Sequence, residues 1–177
     1  MKKVILIIIT FVLIALVVQS LYPQKMNLKV GDKVPLFNLQ DQNGKDFAVK
    51  DLIGKKAMVI YFYPKDDTPG CTKEACSFRD EFEAFTDMNV EVIGISSDDV
   101  ASHKKFAEKY RLPYILLADI NKEVRKLFGV KNSVLGLIPG RVTYVIDKTG
   151  IIRLIFENQF GAEKHISESL AILKEIQ

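Results

Sequence analysis

The chain has 177 residues, 48% apolar and 27% charged, which suits one globular domain with a buried core and leaves little room for two. Its formal net charge is +3, but Lys2 and Lys3 supply two of those charges, so the rest of the chain has no basic stripe and nucleic-acid binding is not supported. Two cysteines exclude a disulfide-rich scaffold, and the spacings Cys71–Cys76 and His103–His165 fit no zinc pattern.

Val4–Val18 is apolar except for Thr10 and follows Lys2 and Lys3. A basic start before such a run reads as a signal anchor or signal peptide over residues 1–21, with Val18-Gln19-Ser20 a weak cleavage site. Residues 22–26 read as a linker and 27–177 as the domain. This run would touch the membrane and place the domain outside the cytoplasm, tethered or released.

Asp41-Gln42-Asn43-Gly44 is a turn signal, so Phe37–Gln40 and Asp46–Val49 are expected to pair as a hairpin. Ala57–Tyr63 is apolar and β-prone throughout, the pattern of a central strand buried on both faces. Pro64–Gly70 is loop chemistry. Thr72–Met88 then has helical spacing, with Ala75, Phe78, Phe82 and Phe85 on one stripe. Val90–Ser96 reads as a second buried strand. Ser97-Asp98-Asp99 starts a helix over Val100–Tyr110, and Tyr114–Ala118 is a third strand. Asp119 caps a short helix through Phe128, which Gly129 ends. Val142–Asp147 and Ile151–Glu157 form a closing hairpin, and Glu163–Ile176 is an amphipathic helix. Alternation of this kind implies an α/β fold of three layers, a mixed central sheet with helices on both faces.

Cys71 falls at the first turn of the helix that follows the loop. Helix N-termini point backbone N–H groups and a positive dipole at such a position, which favours a thiolate. Cys76 is five residues on. In one regular helix the two Cα atoms are about 8.7 Å apart, whereas a disulfide needs less than about 7 Å. Either no disulfide forms or forming it unwinds the helix. Asp66 and Asp67 read as solvated turn residues, Glu74 as a complement to the helix N-terminus, and His103 and His165 as solvated positions on helix surfaces.

Pro64–Asp80, PKDDTPGCTKEACSFRD, resembles the peroxiredoxin Q group, also called bacterioferritin comigratory proteins. Arg141-Val142-Thr143-Tyr144-Val145-Ile146-Asp147 is similar too, and the likeness covers residues 27–177. Leu137–Arg141 and Asn158–Phe160, with Glu163-Lys164-His165-Ile166, look most like the subgroup found in photosynthetic cells. The resemblance implies a thioredoxin-like fold, a monomer, and a thiol peroxidase acting on hydrogen peroxide and organic hydroperoxides. Cys71 matches the peroxidatic cysteine and Cys76 the resolving one, which together form an intramolecular disulfide recycled by a thioredoxin-like reductant. Thr68 matches the residue whose hydroxyl bonds the thiolate and the peroxide, Pro64 the proline that shields the thiolate, and Arg141 the arginine that favours the thiolate and polarises the peroxide. No metal, haem, flavin or other cofactor is implied.

Two rival readings share the fold. An exported thioredoxin-like thiol–disulfide oxidoreductase would normally carry Cys-x-x-Cys, whereas four residues separate the cysteines here. A membrane-tethered binding module would carry inert cysteines.

Overall fold

The computed structural model describes residues 28–176. Strands β1 (Asn38–Asp41), β2 (Asp46–Ala48), β3 (Ala57–Phe62), β4 (Val90–Ser96), β5 (Ile115–Ala118), β8 (Val142–Ile146) and β9 (Ile152–Glu157) form one seven-stranded sheet in the order β2-β1-β5-β4-β3-β8-β9. The neighbours β3–β4 and β4–β5 are parallel and the other pairs antiparallel, so the sheet is mixed, as expected. The helices are α1 (Pro69–Asp80), α2 (Phe82–Asp87), α3 (Val100–Tyr110), α4 (Glu123–Leu127) and α5 (Ala162–Ile176).

Strand β3 sorts the core by alternation. Val59 and Tyr61, continued by Tyr63, face a cluster with Ala75, Phe78, Phe85, Phe106, Ile166 and Leu173, which come from α1, α2, α3 and α5. Met58, Ile60 and Phe62 face the other way, against Val124 and Phe128 at α4, the loop residues Val34 and Phe37, and Val49 at the start of a 3-10 turn. Helices therefore cover both faces, but four lie on one and a single short helix on the other.

The expected boundaries hold to within a few residues except at three places. The helix expected over Thr72–Met88 starts earlier, at Pro69, and divides at Glu81, whose φ/ψ of −101°/11° leave the helical range. Its stripe survives the division: Phe78 and Phe85 are fully buried, with ring centroids 5.7 Å apart. Asp119 caps α4 from outside the N-cap position, its carboxylate accepting from the N–H groups of Val124 and Arg125. A small ribbon, β6 (Asn132–Ser133) with β7 (Ile138–Pro139), was not legible in the sequence.

The expected exposure of the polar residues needs correction. His103, His165 and Glu74 are wholly buried, and Asp66 is buried as well. Each faces inward, where hydrogen-bond partners replace water at all but Glu74 Oε1. Asp67 is exposed, as expected.

Candidate active site

Pro69 at the first position of α1 has no N–H to lose, and its fixed φ suits the helix start. Thr68 precedes it with extended backbone as the N-cap residue, and its carbonyl accepts from Thr72 N at 2.8 Å. Cys71 thus lies in the first turn, buried at 2% exposure, where free helix N–H groups and the dipole favour a negative charge. Cys76 lies on the same continuous helix, half-buried, and both thiols are free.

The sheet supplies the opposing charge. Arg141 immediately precedes β8, the neighbour of β3, and its Nη2 lies 3.4 Å from Cys71 Sγ. Its Nη1 donates to Glu74 Oε2, its Nε to the Gln159 carbonyl at 3.3 Å, and its backbone N–H to Gln159 Oε1 at 3.1 Å. The guanidinium is therefore held by Glu74 and the Gln159 carbonyl, with Nη2 turned to the sulfur. Gly70 leaves it room: a Cβ at that position would sit 3.3 Å from Nη2. Burial works against the Arg141 charge, but Glu74 and Cys71 outweigh it and raise the pKa.

Burial pushes the Glu74 carboxyl up to about 8, and Arg141 only partly opposes it. Glu74 aligns Arg141, whose Nη2 is left facing Cys71. Glu74 Oε1 has no hydrogen-bond partner and lies 3.7 Å from His165 Nδ1. His165 Nε2 faces the Asn158 carbonyl at 2.8 Å and must donate to it, so Nδ1 accepts from Thr143 Oγ1 at 2.7 Å. Burial lowers the His165 pKa to about 4, which keeps the ring neutral beside Arg141.

Cys71 and Arg141 are thus in contact. Thr68 is three residues before Cys71, but its hydroxyl donates to the Lys65 carbonyl at 3.0 Å, and no hydrogen bond joins it to Cys71. Pro64 is half-buried beyond the end of β3, in the loop that leads to Thr68. Glu74 was missed as a partner of Arg141, although its spacing of three from Cys71 puts both on one helix face.

A model of the AhpC/TSA family matches residues 30–155.

The chain belongs to the AhpC/TSA family.

It is 49% identical over 162 residues to peroxiredoxin Q, chloroplastic, of Suaeda salsa, a match covering 88% of this chain and 75% of that protein. The crystal structure of peroxidoxin BcpB from Mycobacterium tuberculosis is similar with a TM-score of 0.78 at 38% identity, covering 85% of this chain and 99% of that one. A cysteine-to-serine mutant of PrxQ from Xylella fastidiosa is similar with a TM-score of 0.76 at 28% identity, covering 85% of this chain and 98% of that one. The resemblance to peroxiredoxin Q and the thioredoxin-like fold hold. The chain is a peroxiredoxin-type thiol peroxidase, an oxidoreductase.

The extracytoplasmic location expected from the N-terminal run is overturned by the plant relatives, which are chloroplastic by name. Hydropathy reports the length of an apolar run and the charge before it, not its destination. The segments read as anchor or signal (1–21) and linker (22–26) lie outside the described residues, and so does the membrane contact expected of them. Among the described residues no helix is long and apolar enough to cross a membrane.

Proposed function

We propose that Cys71 is the peroxidatic cysteine and Cys76 its resolving partner. The Cys71 thiolate attacks the terminal oxygen of ROOH, the O–O bond breaks, and the departing RO⁻ takes a proton and leaves as ROH. The product is a Cys71 sulfenic acid. The Cys76 thiol condenses with it, releasing water and closing an intramolecular disulfide. A thioredoxin-type dithiol then attacks the disulfide and carries away the two oxidising equivalents, restoring both thiols.

The observation that carries this reading is the 3.4 Å approach of Arg141 Nη2 to a buried thiol at a helix N-terminus. A fixed cation and free N–H groups stabilise both the thiolate and the charge on the departing oxygen. Thr68 joins the site by turning its hydroxyl from the Lys65 carbonyl to the bound peroxide, and Pro64 limits access of water. Hydrogen peroxide and organic hydroperoxides are the substrates in this reading. Both cysteines belong to one helix of one chain, so the cycle needs no second copy. The spacing of the cysteines counts against a thiol–disulfide exchanger.

The test is turnover with a thioredoxin-type donor. Cys71→Ser should abolish peroxide consumption. Cys76→Ser should permit one oxidation and then stall. Normal turnover by Cys71→Ser would remove the assignment.

A further inference from the structure

The loop that delivers Thr68 to the site is fastened to α3 by a buried polar cluster with no part in the chemistry above. Asp66 Oδ1 accepts from Tyr63 OH at 2.7 Å, and Oδ2 accepts from Ser102 Oγ at 2.8 Å. His103 Nδ1 lies 2.9 Å from Asp66 Oδ2, and His103 Nε2 lies 3.1 Å from the Leu117 carbonyl. Both ring nitrogens therefore face acceptors, Nδ1 the Asp66 carboxylate and Nε2 the Leu117 carbonyl. The Asp66 backbone N–H is also taken, donating to Asp98 Oδ2 at 2.9 Å.

The next residue repeats the attachment on the surface. Asp67 has a φ of 58°, a left-handed backbone that a non-glycine residue adopts only when its surroundings impose it. Its carboxylate takes Lys109 Nζ and Tyr110 OH, each at 2.7 Å, from the far end of α3. Two consecutive loop residues are thus held by one helix, immediately before Thr68.

We propose that Asp66 and His103 are positioning residues for peroxide attack, through which α3 fixes the path of the loop carrying Thr68 to the start of α1. The inference rests on the roles given above to Cys71 and Thr68. Loosening the clamp displaces the Thr68 hydroxyl relative to the sulfur. The Arg141–Glu74 contact involves none of the clamp residues and stays in place.

The experiment uses a Cys76→Ser background, in which Cys71 is the one remaining thiol. Two rates are measured: oxidation by hydrogen peroxide, which needs the O–O bond aligned, and alkylation by iodoacetamide, which does not. An asparagine amide nitrogen replaces Nδ1 and keeps the donor to Asp66, whereas a glutamine amide nitrogen replaces Nε2 and loses it. His103→Gln should slow peroxide oxidation by about tenfold with alkylation kept, and His103→Asn should stay within about threefold of the parent, since small misalignments weigh heavily on an oriented attack. Ser102→Ala, a milder change to the same carboxylate, should slow oxidation by about threefold. Equal behaviour of the two His103 variants, or a matched fall of both rates, would overturn the clamp while leaving Cys71 and Thr68 in their roles. A Thr68→Val variant oxidised at the parent rate would overturn the role of Thr68 and the clamp with it.

Discussion

Cys71 and Cys76 ride one unbroken helix, α1, so the two sulfurs that the proposed cycle joins are held apart in the reduced protein. By helix geometry their Cα atoms are about 8.7 Å apart, beyond the reach of a disulfide. Glu74 lies between them and bonds Arg141, and the Ala75 carbonyl accepts from Tyr114 OH at 2.8 Å. Phe78, fully buried and stacked on Tyr61 at 4.6 Å, anchors the next turn. Closing the disulfide must undo the contacts before Phe78 and can leave those after it.

Hydrogen exchange should report this opening. In the reduced form, amides of residues 72–78 should be protected, and in the oxidised form that protection should be lost while Phe85 and its neighbours keep theirs. Equal protection in both forms would mean that the two cysteines do not pair with each other.

Tyr114 offers a way to change the cost of opening without touching either thiol. Tyr114→Phe removes the hydrogen bond to Ala75 and should lower that cost by about 1 kcal/mol, so disulfide formation after oxidation should be about fivefold faster. Rapid-quench detection of the sulfenic acid and the disulfide would measure it. An unchanged rate would place the barrier elsewhere.

Arg141→Ala should slow peroxide attack on Cys71 by about 10²-fold, the usual effect of losing one preorganised donor. Arg141→Lys keeps the charge but not the fork that contacts both Cys71 and Glu74, and should recover only part of the loss. Stopped-flow rates for the three proteins decide the matter. Equal rates would make Arg141 structural.

Glu74 should leave a mark on stability. A carboxyl raised on folding keeps its proton longer in the folded state, so its contribution to stability is lost as pH rises from the ordinary carboxyl range through about 8. His165, lowered to about 4, has the opposite sign: stability rises with pH from about 4 to its ordinary value of 6.5 and is flat above. Between pH 6.5 and 8 the wild type should therefore lose stability by up to about 1.4 kcal/mol per pH unit, and Glu74→Gln should flatten that slope. Urea unfolding at several pH values measures it. Identical slopes would show Glu74 to be ionised throughout.

Much of this was legible in the sequence. β3 is a continuous apolar, β-prone run, the pattern of a strand buried on both faces, and the loop chemistry of Pro64–Gly70 placed Cys71 at the first turn of the next helix. The buried polar residues were not, because burial of a His, Asp or Glu depends on what packs over it. The signals were partial: His103 is three residues before Phe106 and Glu74 four before Phe78, which puts each on an apolar stripe. Nothing local marked β6 and β7, two residues each with Pro139 in one of them.

The most direct measurement is peptide mass spectrometry of the reduced protein treated with one equivalent of hydrogen peroxide and quenched over time. We expect Cys71 to gain one oxygen first and then to appear in a Cys71–Cys76 disulfide within a single chain, as the sulfenic acid disappears. Oxidation appearing first on Cys76, or a Cys71 that stays reduced while peroxide is consumed, would contradict the mechanism.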